Sequence, residues 1–301
     1  MTERVLHLLL SKPTIDQIEA GQRNFFRRLI IGIEDEGWHV EMAESTPDNR
    51  RTARDNSWYT LYHMEEPGHE NALTCRQSYV GPFWRIERMA ERWEWPVAKA
   101  QFDPAVVDMG KLGWFYEGWL NRLYEGGKHV SDDGFLFVPL QGKLLEQRSF
   151  QSMSPLRMLE EVLQRRSEPV VATLHPRETY STAETDALRK LQHAYPRLTV
   201  RTGHSEKILP HCHGVVTQNS GLGFQGLFLQ KPLVLFAQSE FHHIAGSVPR
   251  DGLDEAFRHL DYEADYQRYV TWFLHMTALN AGRPEFEAAM AQRLRDLGWP
   301  I

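Results

Sequence analysis

Short apolar runs bounded by polar punctuation alternate along the chain with stretches in which apolar residues recur every three or four positions. RVLHLLL at 4–10 is such a run, stopped by Ser11, Lys12 and Pro13, and it predicts a buried parallel strand. Ile15, Ile18, Phe25, Leu29 and Ile33 then recur at helical spacing with charged residues between them. Gly37 precedes the alternating WHVEMAE at 38–44, a second strand. Strand, helix and strand in succession make a βαβ unit. Residues 45–57 read as loop, SWYTLYHM at 57–64 as a third strand and PGHENA at 67–72 as a turn. Residues 83–94 read as helix, 95–100 as a short strand, and 103–127 as an aromatic-rich helical segment ending at Gly126 and Gly127.

SDDG at 131–134 marks a boundary, after which the rhythm restarts. Strands are predicted at 135–140, 169–175, 198–203, 214–218 and 232–237. Between them fall helices at 154–166, where Ser154 caps and Pro155 takes the first helical position, at 182–195, at 205–212 and after 220. Two helices close the chain, at 262–280 and 284–297. The pattern predicts an α/β protein of two facing, doubly wound, Rossmann-type domains with C-terminal closing helices. The expected boundaries are 1–130 for a first domain, 131–260 for a second and 261–301 for helices packing across both.

A length of 301 residues suits two domains, and 42% hydrophobic with 25% charged residues is ordinary globular composition. A formal net charge of −6 offers no global field for nucleic acid, so an anionic ligand must be met by local donors. Cys75 and Cys212 are too few for a disulfide framework and fit a reducing compartment. The opening apolar run is too short for a signal or spanning segment, so the expectation is a soluble cytoplasmic protein, with peripheral attachment to membrane assembly machinery left open.

In doubly wound sheets ligands sit beyond the carboxyl ends of the strands, so the residues just after each predicted strand carry the candidate chemistry. In the second half these are Gln141; His175, Pro176 and Arg177; Gly203 and His204; Thr217, Gln218, Asn219, Ser220 and Gly221; and Gln238 to His243, which include Glu240. GVVTQNSGLGFQGL at 214–227 reads either as a capped turn or as a phosphate cradle. In the second reading Gly221 and Gly223 admit close approach of backbone, Ser220 adds a hydroxyl, the helix start adds bare N–H groups, and His175 is a second donor. Arg50, Arg51 and Arg54 read as a solvated loop or as a reach toward an anion from the first domain. His211, His213, His242 and His243 lack a supporting Cys pair, and no Asp-x-Asp occurs, so neither a metal site nor a cofactor is expected.

Taken in order, FLFVPLQ, SFQSMSPLRML, LHPRE and HGVVTQNSGLGFQGLFLQKPLVLF resemble the bacterial capsule polysaccharide biosynthesis proteins over about 134–246. The first half resembles them through LYHM and the segment around GPFWRIER. The resemblance implies a GT-B fold, with 1–130 as the acceptor-side domain and 131–260 as the nucleotide-sugar-binding domain, and a β-Kdo transferase-like activity with a CMP-activated donor. It implies nucleotide-phosphate contacts by His175 and Ser220 and a loop shaped by Asn219, Gly221 and Gly223. Family members commonly carry an Asp shortly after Pro-Leu-Gln and a His-His-Pro element. This chain has Leu174 before His175, and Glu146 one residue displaced from the Asp position. For the base that activates a saccharide or lipid-linked acceptor, the candidates are Glu146 and Glu240 from the second half and His63 or Asp55 from the first. The alternatives are a GT-B enzyme using a UDP- or GDP-sugar and a non-catalytic nucleotide-sugar-binding subunit of a polysaccharide assembly.

Overall fold

The predicted apolar runs become strands of two separate sheets in a computed structural model, which describes residues 4–301. The first sheet contains β1 (Val5–Leu10), β2 (His39–Glu44), β3 (Tyr59–His63), β4 (Ala72–Gln77), β5 (Phe83–Glu87) and the short strand Leu279–Asn280. Their order is Leu279–Asn280, β5, β4, β3, β1, β2. β1 to β4 pair in parallel, whereas β5 and Leu279–Asn280 run antiparallel to their neighbours. β1 is apolar on both faces because both are covered. Leu6, Leu8 and Leu10 meet Phe25, Phe26, Leu29 and Ile33 of the helix Asn24–Asp35, while Leu9 on the other face joins Tyr62, Ala53 and Ala72.

The second sheet holds β6 (Leu136–Pro139), β7 (Val170–Leu174), β8 (Leu198–Thr202), β9 (Gly214–Thr217), β10 (Leu233–Leu235) and β11 (Gly246–Ser247). The order is β11, β10, β9, β6, β7, β8, and every pairing is parallel. The chain moves outward from β6 through β7 to β8, then returns to lay β9 on the other side of β6. That reversal is a topological switch point, where neighbouring loops diverge and leave a crevice. Capped helices connect the strands. Ser154 Oγ accepts from the Arg157 N–H, and Ser181 and Glu184 form a reciprocal capping box.

The observed division differs from the expected boundaries at 130/131 and 260/261. One compact unit runs up to Pro96 and resumes over Leu274–Ile301; the other is Val97–Phe273. The aromatic helix Met109–Tyr124 belongs to the second unit because Tyr116 stacks on Phe228 and its hydroxyl donates to the Phe228 carbonyl at 2.6 Å. The tail is divided by its apolar residues. Tyr269 and Phe273 pack together in the second unit, where Phe273 also meets Phe224, whereas Phe286, Met290 and Leu294 enter the core of the first.

Several local expectations are corrected. Residues 47–55 are helical, with Thr46 Oγ1 accepting from Asn49 N–H and Pro47 opening the helix, where the high polarity predicts loop. The segment expected as helix at 83–94 begins instead as β5, whose five residues are all buried. Residues 96–99 form a short helix, not a strand. The long first helix is two, Lys12–Glu19 and Asn24–Asp35, separated where Gly21 takes a positive φ of 71°. The expected helix at 262–280 is a short α-helix, Tyr266–Val270, then a π-helical stretch at Thr271–Met276 and the strand Leu279–Asn280. β4 and the helix Val248–Arg258 have no counterpart in the predicted elements.

Candidate active site at the carboxyl ends of the second sheet

β9 is wholly buried and delivers Thr217 into the centre of the second unit, where its hydroxyl donates to the Pro139 carbonyl of β6 at 3.2 Å. Asn219, also buried, uses its amide to hold the Gln238 carbonyl at 3.1 Å, tying the loop after β9 to the loop after β10. These two side chains build the loop. Gly223 serves helix packing: a Cβ there would lie 2.9 Å from Leu233 Cδ1 and 3.2 Å from Thr217 Cγ2.

Ser220 is the N-cap of the helix Gly221–Phe228, its Oγ accepting from the Leu222 N–H at 3.3 Å. The cap uses an oxygen lone pair, so the hydroxyl proton stays available as a donor. Ser220 and Leu222 line a cavity of about 440 Å³. His175 lines the same cavity from the end of β7, and Gln141 lines it from the end of β6. Three strands on both sides of the switch point thus supply one concavity, within the usual pocket range of roughly 300–1,000 Å³.

The ring of His175 is oriented by its own turn. The Arg177 backbone N–H donates to His175 Nδ1 at 3.2 Å, which makes Nδ1 the acceptor and leaves Nε2–H as the donor of the neutral ring. The His175 backbone N–H in turn donates to the Tyr180 hydroxyl at 2.9 Å. Pro176 and Arg177 shape this turn and are not among the side chains lining the cavity. Gln141 Oε1 is buried with no hydrogen-bond partner among the described residues.

The walls include residues that strand-end reasoning passed over. Thr173 Oγ1 and Ser205 Oγ lie 3.0 Å apart and both line the cavity. Ser205 follows β8 by three residues, so its position was readable. Lys143 and Arg148 bring positive charge from the loop after β6. Glu184 positions this loop by accepting the Leu144 N–H at 2.5 Å, and the Phe150 carbonyl, which accepts the Gln238 N–H at 2.9 Å, ties it down further. Arg148 lies over the Phe150 ring at 5.1 Å and has no carboxylate partner among the described residues. Their place in an irregular loop hid them from a reading based on strand ends.

The four candidate bases lie elsewhere. Glu146 is bound to Lys143 Nζ at 3.0 Å, with its side chain 63% exposed, and does not line the cavity. Glu240 is 2% exposed, with Ser239 Oγ at 3.4 Å, and is likewise outside the lining. His63 sits at the end of β3 in the first unit, edge-on to Phe26 at 5.5 Å. Burial, reinforced by Arg23 and Arg76, pushes its pKa down to about 4. Asp55 ends the helix Pro47–Asp55 and pairs with Arg54 at 3.6 Å. In the first unit Arg50, Arg51, Arg54 and Tyr62 line a separate cavity of about 330 Å³. No helix among the described residues is long and apolar enough to cross a membrane.

Two parallel-rich sheets, each with helices packed on them, and a polar cavity at the switch point of the second define an α/β protein of the GT-B-like, double-Rossmann class. Residues 152–283 match the family model described as capsule polysaccharide biosynthesis protein, so the resemblance carried by the motifs of the second half holds. The fold is shared with a Thermosulfurimonas dismutans structure titled "KpsC, beta Kdo 2,7 transferase", at 14% identity and a TM-score of 0.55, covering 96% of this chain and 100% of that one. A second structure from the same organism, titled "KpsC, beta Kdo 2,4 transferase", matches at 11% identity and a TM-score of 0.49 over 89% of this chain and 90% of that one. A Methanocaldococcus jannaschii UDP-GlcNAc 2-epimerase in complex with UDP-GlcNAc and UDP matches at 8% identity and a TM-score of 0.41, over 98% and 99% of the two chains. No curated protein sequence matches the chain significantly.

Proposed function

We propose that this protein is a glycosyltransferase that moves Kdo or a similar acidic sugar from a CMP-activated donor to a saccharide or lipid-linked saccharide acceptor in capsule or surface polysaccharide synthesis. The observation that carries the reading is the convergence of Ser220 and His175, from β9 and β7, on one cavity at the switch point. The match of 152–283 to the capsule family and the transferase title of the Thermosulfurimonas dismutans structure that shares the fold at a TM-score of 0.55 support it. The reading includes a cytoplasmic location and a reaction without metal or cofactor.

The chemistry follows from the donor set. As the glycosidic bond breaks, negative charge gathers on the leaving phosphate, and donors already aimed at it lower the barrier without reorganising. Ser220 Oγ–H, the Gly221 N–H that opens the helix Gly221–Phe228 and His175 Nε2–H serve here. Arg148 and Lys143 add charge that suits a phosphate and the carboxylate of an acidic sugar.

Thermal unfolding in the presence of CMP, UDP and GDP tests the reading. CMP is expected to raise the midpoint, and Ser220→Ala and His175→Ala are each expected to remove that rise; His175→Ala should leave the unliganded midpoint near the parent's, while Ser220→Ala should lower it modestly through the lost helix cap. Indifference of the parent to all three nucleotides would defeat the proposal. A response to UDP or GDP alone would reassign the donor.

A further inference from the structure

We infer that Glu178 is the carboxylate that accepts the proton of the acceptor hydroxyl in the second-unit cavity, an assignment that rests on the transferase reading above. Transfer to a hydroxyl needs a base within reach of that hydroxyl, and neither Glu146 nor Glu240 lines the cavity. Glu178 lines it. Its backbone N–H donates to the His175 carbonyl at 3.1 Å, so one turn presents both the phosphate-side imidazole and this carboxylate. The side chain crosses to the loop after β6 and lies against Gly142. A Cβ at that position would sit 2.8 Å from Glu178 Cδ and would collide with Oε2. Glycine at 142 is thus what leaves room for the carboxylate.

The neighbouring acids are committed elsewhere. Glu146 pairs with Lys143, and Glu184 caps its helix and holds the Leu144 N–H. The carboxylate of Glu178 has neither hydrogen bond nor ion pair among the described residues. The carboxylate shares the cavity with Lys143, Arg148 and His175, and neither of its oxygens is taken up by a partner among the described residues. In the step assigned to it, the acceptor O–H bond breaks and its oxygen bonds to the anomeric carbon. The bond from that carbon to the phosphate oxygen breaks, and its electron pair leaves on the phosphate. The proton rests on Glu178 until it returns to water.

The test uses the full chain, CMP-Kdo as donor, and release of CMP to water or to added capsule oligosaccharide as the readout. Glu178→Gln is expected to keep the parent's thermal response to CMP and to lose about 10²–10⁴-fold in turnover. The acidic limb of the pH–rate profile should vanish with it; the other titratable or charged groups around this carboxylate are Lys143, Arg148, His175, Arg177, Tyr180 and Glu184. Gly142→Ala pushes aside the flexible end of Glu178, so it should also lower turnover with CMP binding intact, and add little to Glu178→Gln in the double variant. Turnover by Glu178→Gln at the parent's rate would overturn the assignment alone, as would loss of its CMP response, which would make Glu178 a nucleotide-binding residue. A parent that neither binds CMP nor releases it from CMP-Kdo would remove the transferase reading and this assignment together.

Discussion

Each sheet places a histidine at the carboxyl end of a parallel strand. His175 follows β7, is exposed, and has Nδ1 engaged by a backbone N–H so that Nε2–H is offered to a cavity. His63 ends β3, is tucked edge-on against Phe26, and is held neutral by burial and two nearby arginines. The difference lies in the neighbours. Around β7 the strand ends carry Gln141, Ser205 and Ser220, which are small or polar and leave space between them. Beside the end of β3, Phe26 of the helix Asn24–Asp35 and Trp84 of β5 pack around His63 and fill the space. A shared parallel plan provides candidate positions, and the size and polarity of adjoining strand ends decide which become a site.

The largest expected contrast is functional. Ser220→Ala should cost turnover about 10²–10³-fold, the usual loss for one charge-stabilising donor, whereas Tyr62→Phe in the first unit should leave nucleotide binding unchanged; CMP release and the CMP thermal response check both. Equal losses from the two would erase the contrast between the sheets.

Next comes packing. A Cβ at Gly246 beside β10 would run into the backbone carbonyl of Ala256, while one at Gly32 would meet the flexible end of Met290 at 2.8 Å. Gly246→Ala is expected to destabilise by about 3 kcal/mol and Gly32→Ala by under about 1 kcal/mol in denaturant unfolding. Comparable midpoints for the two variants would contradict this account of the backbone wall.

The third effect is pH dependence. His63 in the first unit and His243 in the second both have pKa values lowered to about 4, His63 by burial and then Arg23 and Arg76, His243 by burial and then His242. Unfolded imidazoles titrate near 6.5, so between these values the unfolded chain binds more protons. The stability given by each neutral ring is whole above about pH 6.5 and is lost as pH falls toward about 4, on the order of 2 kcal/mol per ring. His63→Asn should flatten the acid side of the stability curve for the first unit only, and an unchanged slope would count against it.

The smallest effect belongs to the exposed helix pair Arg51–Asp48 in the first unit. Arg51→Ala is expected to shift stability by less than about 0.5 kcal/mol, read as a nearly unmoved denaturation midpoint.

The second sheet was the more legible in the sequence. β6, β9 and β10 are buried on both faces, so each reads as a short apolar run, and Ser154 with Pro155 announces its helix in local chemistry alone. The first unit was harder. FWRIE forms β5 only because Leu279–Asn280 and β4 flank it, and its residues carry no alternation that excludes a helix. Thr46 and Pro47 did signal a helix start, but the polar run after them outweighed the signal. Of the site, the strand-end residues Gln141, His175 and Ser220 were readable from position. Glu178 lay within a motif that was noticed, but its direction toward Gly142 was not.

The double α/β repeat and the polar strand ends were set by the sequence itself, because period and capping are local properties. Only the tertiary structure decided the pairing order that puts β9 beside β6, the allocation of 97–130 and 274–301 between the units, and which carboxylate enters the cavity. Those outcomes depend on contacts between residues far apart in the chain, where apolar faces choose partners by shape and a side chain goes where a distant glycine leaves room.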